Sequence, residues 1–209
     1  MCGRFALASE SAEIVEKFDI RKISCDFKPD WNISPGQYIP VVIHREDQNI
    51  LESFLWGLIP SWAKDPSIGQ KLINARAETI HQKPSFKNAF MNRRCLIVAD
   101  GFYEWKKDGS KKIPLYFFLK SGEPFGIAGL YETWVSPEKK RINTCTIVTT
   151  DANKLIQPAH DRMPVIIPKE REQTWLSNEI ENRTILLPVL KPYPAEEMAY
   201  KVGMGPTFS

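Results

Sequence analysis

Six short runs limit what this chain can fold into: IPVVIH (39–44), ESFLWGLI (52–59), CLIVA (95–99), PLYFFL (114–119), FGIAGLYETW (125–134) and TCTIVTT (144–150). They are rich in β-branched or aromatic residues and bounded by turn residues, which is the pattern of strands. No long helical pattern alternates with them. The sequence therefore favours an α+β fold with an antiparallel, β-barrel-like core and peripheral helices. Asp108-Gly109 is a hairpin turn signal. Two helices are predicted. One covers residues 11–18, with Ser11 as cap and Ile14, Val15 and Phe18 at helical spacing. The other covers residues 168–176, with Pro168 in the first turn and Trp175 and Leu176 facing the core.

No repeat, low-complexity tract or linker divides the 209 residues, and the 16 prolines are scattered, so we expect one compact domain over 1–209. A 43% hydrophobic and 25% charged composition excludes disorder and a fibrous architecture. The net charge of +3 permits contact with a polyanion without demanding it. Cys2, Cys25, Cys95 and Cys145 are far apart and include no C-x-x-C. With His44, His81 and His160 they form no ligand-spaced cluster, so neither a metal nor another cofactor is expected. No window approaches the ~20 apolar residues of a membrane span, and the first ten residues do not read as a signal peptide. We expect a cytoplasmic protein with no membrane association.

The chemistry starts at Met1-Cys2-Gly3-Arg4. A small second residue permits removal of the initiator Met, which would leave Cys2 with a free α-amine beside its thiol. With a reference pKa of about 7.7–8.0, an α-amine is partly neutral and nucleophilic at pH 7. It can condense with an aldehyde to a Schiff base, on which the thiol can close to a thiazolidine. Gly3 lets backbone and substrate approach closely. On position alone, Cys2 also reads as a small apolar residue at a chain end.

Three further segments carry candidates. In Asn74-Ala75-Arg76-Ala77-Glu78, extended backbone would turn Asn74, Arg76 and Glu78 to one face; a surface ion pair between Arg76 and Glu78 is the competing reading. Glu104 lies among Phe102, Tyr103 and Trp105, where a carboxylate tends to have a raised pKa and can act as acid or base; it could equally be an exposed residue of an edge strand. His160, in Ala159-His160-Asp161-Arg162-Met163-Pro164, suits proton transfer but could be structural. Trp56, Trp62 and Phe86 are interspersed with Lys64, Lys71, Lys83, Lys87, Arg93 and Arg94, a mixture that can stack bases and track phosphates. Core packing competes for each aromatic. Trp62, in a turn-like stretch, is the one expected to be exposed.

Six motifs in order resemble the SRAP family, the SOS-response-associated peptidase group of abasic-site shielding proteins. They are MCGRFA at the start, WNISPG (31–36), FLWGLIPSW (54–62), LINARAET (72–79), ADGFYEWK (99–106) and AHDRMPVII (159–167). The resemblance implies a compact α+β domain around a β-barrel-like core. It implies that Cys2 forms a thiazolidine crosslink with the ring-opened abasic deoxyribose. Asn74 would position the Cys2 amine and the sugar, Glu104 would assist Schiff-base chemistry, and His160 would help open the sugar ring and shuttle protons. Arg4, Asn32, Pro35, Trp62, Arg76 and Glu78 fall in motifs that line the family's active site or its single-stranded DNA channel, and Phe86 is grouped with them for stacking. Val202-Gly203 stands where the family has a Val-Asn pair, so that Asn's contact is not carried over.

The expected partner is single-stranded DNA with abasic sites, including sites at single-strand/duplex junctions. Nothing requires more than a monomer, and nucleoid association would follow in a bacterium. Weak AP lyase and crosslink-reversal activities go with the Schiff base. The rival readings are a thiol peptidase that removes Met1 autocatalytically, with Cys2, His160 and Glu104 as nucleophile, base and orienter, and a non-catalytic single-strand binding module.

Overall fold

The computed structural model describes residues 2–205. Its strands are β1 (Phe5–Leu7), β2 (Ile20–Ile23), β3 (Asp30–Ile33), β4 (Tyr38–Arg45), β5 (Gln48–Trp56), β6 (Asn74–Arg76), β7 (Arg94–Ala99), β8 (Gly101–Asp108), β9 (Lys111–Leu119), β10 (Phe125–Val135), β11 (Arg141–Asp151), β12 (Arg162–Pro164), β13 (Ile166–Ile167) and β14 (Met198–Val202). Short helices α1 (Ser11–Lys17), α2 (Lys87–Asn92), α3 (Glu172–Leu176) and α4 (Arg183–Leu186) lie between them. All six predicted runs contain strands, although the run 52–59 ends its strand at Trp56 and leaves residues 57–59 outside it.

Strands β5, β4, β7, β10 and β11 pair antiparallel in that order, and β11 returns to β5 in parallel at Thr144↔Leu55 and Cys145↔Trp56, which closes a five-stranded barrel. The predicted antiparallel barrel is present, with parallel pairings β2–β5, β5–β11 and β6–β11 added to it. Fully buried Val41, Phe54, Ile97, Ile127, Leu130 and Ile147 belong to its core. At roughly 1.5–3 kcal/mol for each large apolar side chain removed from water, this burial is the main stabilising term.

A second sheet, in the order β14-β9-β8-β1-β3, carries the N-terminus. Phe102 and Phe117 stack at 5.5 Å between centroids and belong to the main core, whereas Ala6, Tyr103 and Tyr116 form a separate cluster. Gly101 is required by close approach: a Cβ there would stand 2.5 Å from the Phe117 carbonyl oxygen. The Asp108-Gly109 signal marks the β8–β9 turn, with Gly109 at φ 57° and Asp108 opposite Lys111.

The predicted first helix is present, but Glu10 is its cap and Ser11 its first residue. Glu13 supplies the reason: its carboxylate accepts from the Glu10 amide at 2.9 Å, starting the helix one residue before the expected position. The second splits into a 3-10 turn, Lys169–Arg171, followed by α3, with Trp175 and Leu176 buried as expected.

Candidate active site

Strand pairing converges on the N-terminus. β1 runs between β3 and β8, and the Tyr103 amide donates to the Arg4 carbonyl at 2.9 Å. Asp100 pins the far end of β1: its carboxylate accepts from the Ser9 amide at 2.8 Å and the Ser9 hydroxyl at 2.6 Å. On the barrel side, β11 carries β6 on one edge, with Ile147 opposite Asn74 and Thr149 opposite Arg76. On its other edge is β12, with Asp151 opposite Arg162. One barrel strand thus organises both the 74–78 and the 160–164 segments.

Cys2 is fully buried, and its thiol lies 4.0 Å from the Arg4 carbonyl. Asn74 Nδ2 donates to the Cys2 carbonyl at 3.0 Å. The Asn74 Oδ1 atom is buried with no hydrogen-bond partner among the described residues, an acceptor beside the residue whose amine the chemistry needs. Burial pushes the Cys2 thiol well above the usual range, and the Glu104 carboxylate adds to the shift. Glu104 sits on β8, an inner strand of its sheet, and is 4% exposed, so it is a buried group and not an edge residue. Removal from water raises its pKa to about 7. The Asp161 carboxylate pushes in the same direction, which links Glu104 to the His160 segment.

His160 is half-buried, and burial lowers its pKa, so the ring is neutral at pH 7. Its Nδ1 accepts from the Arg162 amide at 2.9 Å and also lies 2.8 Å from an Asp161 carboxylate oxygen. These contacts exclude each other: Nδ1 accepts from the Arg162 amide when it carries no proton and donates to Asp161 when it carries one, in the Nδ1–H tautomer or the charged ring. With the Arg162 amide donating to Nδ1, the proton of the neutral ring is assigned to Nε2.

Arg162 is the residue that sequence reasoning missed. Its guanidinium is buried and donates to both Glu78 oxygens at 2.9 Å, to Asp151 at 2.7 Å and to the Thr149 carbonyl at 2.7 Å. Glu78 therefore pairs with Arg162 and not with Arg76. Although partial burial opposes it, the Arg162 hydrogen bonds hold Glu78 below the usual carboxylate range. A signal was available, since a charged residue alternating with apolar ones before a buried run needs a buried partner. Glu78→Gln should cost about 1–2 kcal/mol by weakening the fork, discounted for the exposure of Glu78, and lower the melting temperature by a few degrees. Thermal melts check this; an unchanged melting temperature would contradict the bracing role.

Ala75 and Ala77 are buried while Arg76 and Glu78 are exposed and Asn74 is half-buried, but the extended stretch ends at Arg76 and Glu78 stands in the turn that follows, so the three do not share one strand face. Arg4 Nη1 donates to Asn32 Oδ1 at 3.1 Å, which brings those two side chains together. Pro35 borders an apolar cleft of about 690 Å³ that Leu55, Gly57 and Ile59 also line. Trp62 is 60% exposed, as expected.

Other aromatic and basic candidates are corrected. Phe86 is buried in the main core, so it has no open face for a base. Trp56 is buried too, its ring tilted against Phe5 at 5.3 Å between centroids, and it donates to the Ile73 carbonyl at 2.9 Å, which fixes the segment that carries Asn74. Arg94 is buried and donates to the carbonyls of Phe90, Met91, Trp175, Ser177 and Ile180. It caps the C-terminal ends of α2 and α3 and is not open to phosphates. Arg93 is held by Glu132 at 2.8 Å.

Among the described residues, no group of three or more His, Cys, Asp or Glu side chains could hold a metal ion, and no helix is long and apolar enough to cross a membrane.

Comparison with known proteins gives the family and the fold. The family model described as SOS response associated peptidase (SRAP) matches residues 1–204. The chain is 47% identical over 207 residues to the abasic site processing protein YoqW of Bacillus subtilis, covering 97% of this chain and 92% of that one. It is 32% identical to the abasic site processing protein YedK of Escherichia coli, covering 88% of this chain and 82% of that one. A crystal structure of a Bacteroides thetaiotaomicron protein superposes with a TM-score of 0.90 at 27% identity, covering 96% of this chain and 91% of that one. With a full-length family match, relatives of this similarity and the same fold, the chain belongs to the SRAP family.

Proposed function

We propose that this protein processes abasic sites in single-stranded DNA by capturing them covalently through the α-amine and thiol of Cys2, once Met1 has been removed. The observation that carries the reading is the pairing of Cys2 with Asn74 next to a buried Glu104 whose pKa is raised to about 7. The names of the relatives, abasic site processing proteins, support the substrate class.

The steps balance. The neutral α-amine adds to C1′ of the ring-opened deoxyribose to give a carbinolamine. Protonated Glu104 donates to the departing hydroxyl, water leaves, and the iminium returns its N–H proton to the Glu104 carboxylate to give the imine. The Cys2 sulfur then adds to the imine carbon as its proton passes to nitrogen, closing the thiazolidine. One C–N and one C–S bond form for one water lost. Asn74 holds the Cys2 backbone, and its Oδ1 can accept from the amine. Neutral His160, its Nδ1 accepting from the Arg162 amide, is the group we assign to the proton transfers of sugar-ring opening. Arg76, Arg4 with Asn32, and exposed Trp62 are the groups we assign to the strand, and a missing base makes exposure of the sugar cheap.

A thiol peptidase takes second place on one observation. Peptidase nucleophiles are activated by a lowered thiol pKa, whereas burial pushes the Cys2 thiol up. Closure on a preformed imine requires no resident thiolate, because the thiol and the electrophile are held within one residue. A monomer acting in the cytoplasm, including at single-strand/duplex junctions, is part of the same proposal.

The test is denaturing electrophoresis after incubation with a single-stranded oligonucleotide carrying one abasic site, beside an intact strand. A heat-stable shifted band is expected only with the lesion. Asn74→Ala should slow its appearance by about tenfold or more, since misplacement of a reacting group costs rate steeply. A wild-type rate in that variant would remove Asn74 from the mechanism.

A further inference from the structure

Strands β8 and β9 outrun their neighbours. β1 leaves β8 at Phe102 and β14 leaves β9 at Leu115, so residues 106–113 form a two-stranded ribbon projecting from the sheet. Lys106, Lys107, Lys111 and Lys112 on it are exposed, and none makes an ion pair among the described residues. The register sets Lys107 directly opposite Lys112. Like charges opposed across strands are destabilising, and a lone ribbon is marginal already. A ribbon selected for stability alone would mix its charges. This one carries four lysines against Asp108, a net charge that equals the +3 of the whole chain. The remaining residues balance to zero, so the chain's positive excess stands on one projecting element.

Its location gives the excess a use. Lys106 follows Glu104 by two residues on β8, and strand alternation puts both on one face. At about 3.3 Å per residue, Lys106 stands roughly 7 Å along the strand from Glu104 and the turn roughly 17 Å. Lysine ammonium groups act as point charges for phosphates, and a two-stranded ribbon is narrow enough for the major groove of a duplex. We propose that the Lys106, Lys107, Lys111 and Lys112 ribbon is a phosphodiester-binding arm that grips the DNA beyond the covalent site, whether that DNA is single-stranded or duplex there. The inference rests on the DNA reading above but not on the thiazolidine step.

The test is fluorescence anisotropy with intact oligonucleotides, single-stranded and duplex, across a salt series. It compares the full chain with the K106Q/K107Q/K111Q/K112Q variant. The plot of log affinity against log salt should flatten by about 0.7 for each contacting lysine removed on a single strand, or about 0.9 on duplex, and affinity near 0.1 M salt should fall by about tenfold or more. The form of DNA that shows the loss is the one the arm holds. K107Q/K112Q is matched against K139Q/K140Q at the β10–β11 turn, which removes the same charge elsewhere. An unchanged slope on both DNAs, or an equal loss in the matched pair, would overturn the arm. Melting of the quadruple variant should be unchanged or higher, because a repulsion is removed. Wild-type protein that forms the Cys2 adduct while the quadruple variant keeps the wild-type slope would sink the arm alone. Wild-type protein that forms no adduct would sink the reading of the site.

Discussion

Cys2→Ala protein, with Met1 removed, forms no adduct that survives denaturation, yet still yields a borohydride-trapped imine and cleaves the abasic strand more than wild type does. Alanine keeps the α-amine, so carbinolamine and imine still form. Without sulfur the imine has two exits, hydrolysis and β-elimination on the 3′ side of the lesion, and the second breaks the DNA. In wild type, thiol closure competes with elimination and wins because the nucleophile is tethered to the same residue. The expected pattern is therefore a trade: durable capture disappears and lyase activity rises. Urea gels with and without borohydride read both products. A variant that loses imine trapping along with the stable adduct would mean that the amine of Cys2 is not the first nucleophile.

Glu104→Gln protein is expected to melt higher than wild type at pH 8 and to form the adduct slowly. Burial raises the Glu104 pKa from an ordinary 4.5 to about 7 in the fold. A raised folded-state pKa means that stability is fully present below the unfolded value and is lost as pH rises through the folded one. Between pH 4.5 and about 7 the wild type therefore surrenders stability, about 3 kcal/mol as an upper figure, which an uncharged glutamine does not. The melting-temperature gap should open over that window and vanish near pH 4.5. Activity moves the other way, since loss of a positioned acid costs about 10²-fold or more. In wild type, the rate should climb as the α-amine deprotonates toward about 7.7–8.0 and be held down as Glu104 loses its proton above about 7. Only the climbing limb should survive in the variant. A variant that melts no higher, or that keeps a bell-shaped profile, would contradict the assignment.

What the sequence disclosed follows from the range of each interaction. The strands were legible because period, branching and turn residues are local, and Asp108-Gly109 announced its hairpin. The parallel seam that closes the expected barrel was not, since β11 returning to β5 depends on contacts about ninety residues apart. The helix at residues 11–18 was visible, but its cap shifted by one residue because Glu13 turns back to the Glu10 amide. Cys2, Asn74, Glu104 and His160 could be nominated from residue chemistry and motif resemblance, and strand pairing explains how such distant segments meet. Arg162 was missed and Arg94 misread for one reason: a guanidinium looks the same in sequence whether it faces phosphate or a ring of buried carbonyls. Phe86 and Trp56 show the same ambiguity for aromatic rings.

The most direct test of the central claim is mass spectrometry of the N-terminal peptide released from protein incubated with an abasic single strand. We expect a peptide that begins at Cys2, carries the deoxyribose remnant with the loss of one water, and has no mass gain after borohydride, as a closed thiazolidine requires. A remnant attached to a lysine, or to a peptide that still begins with Met1, would contradict capture by the Cys2 aminothiol.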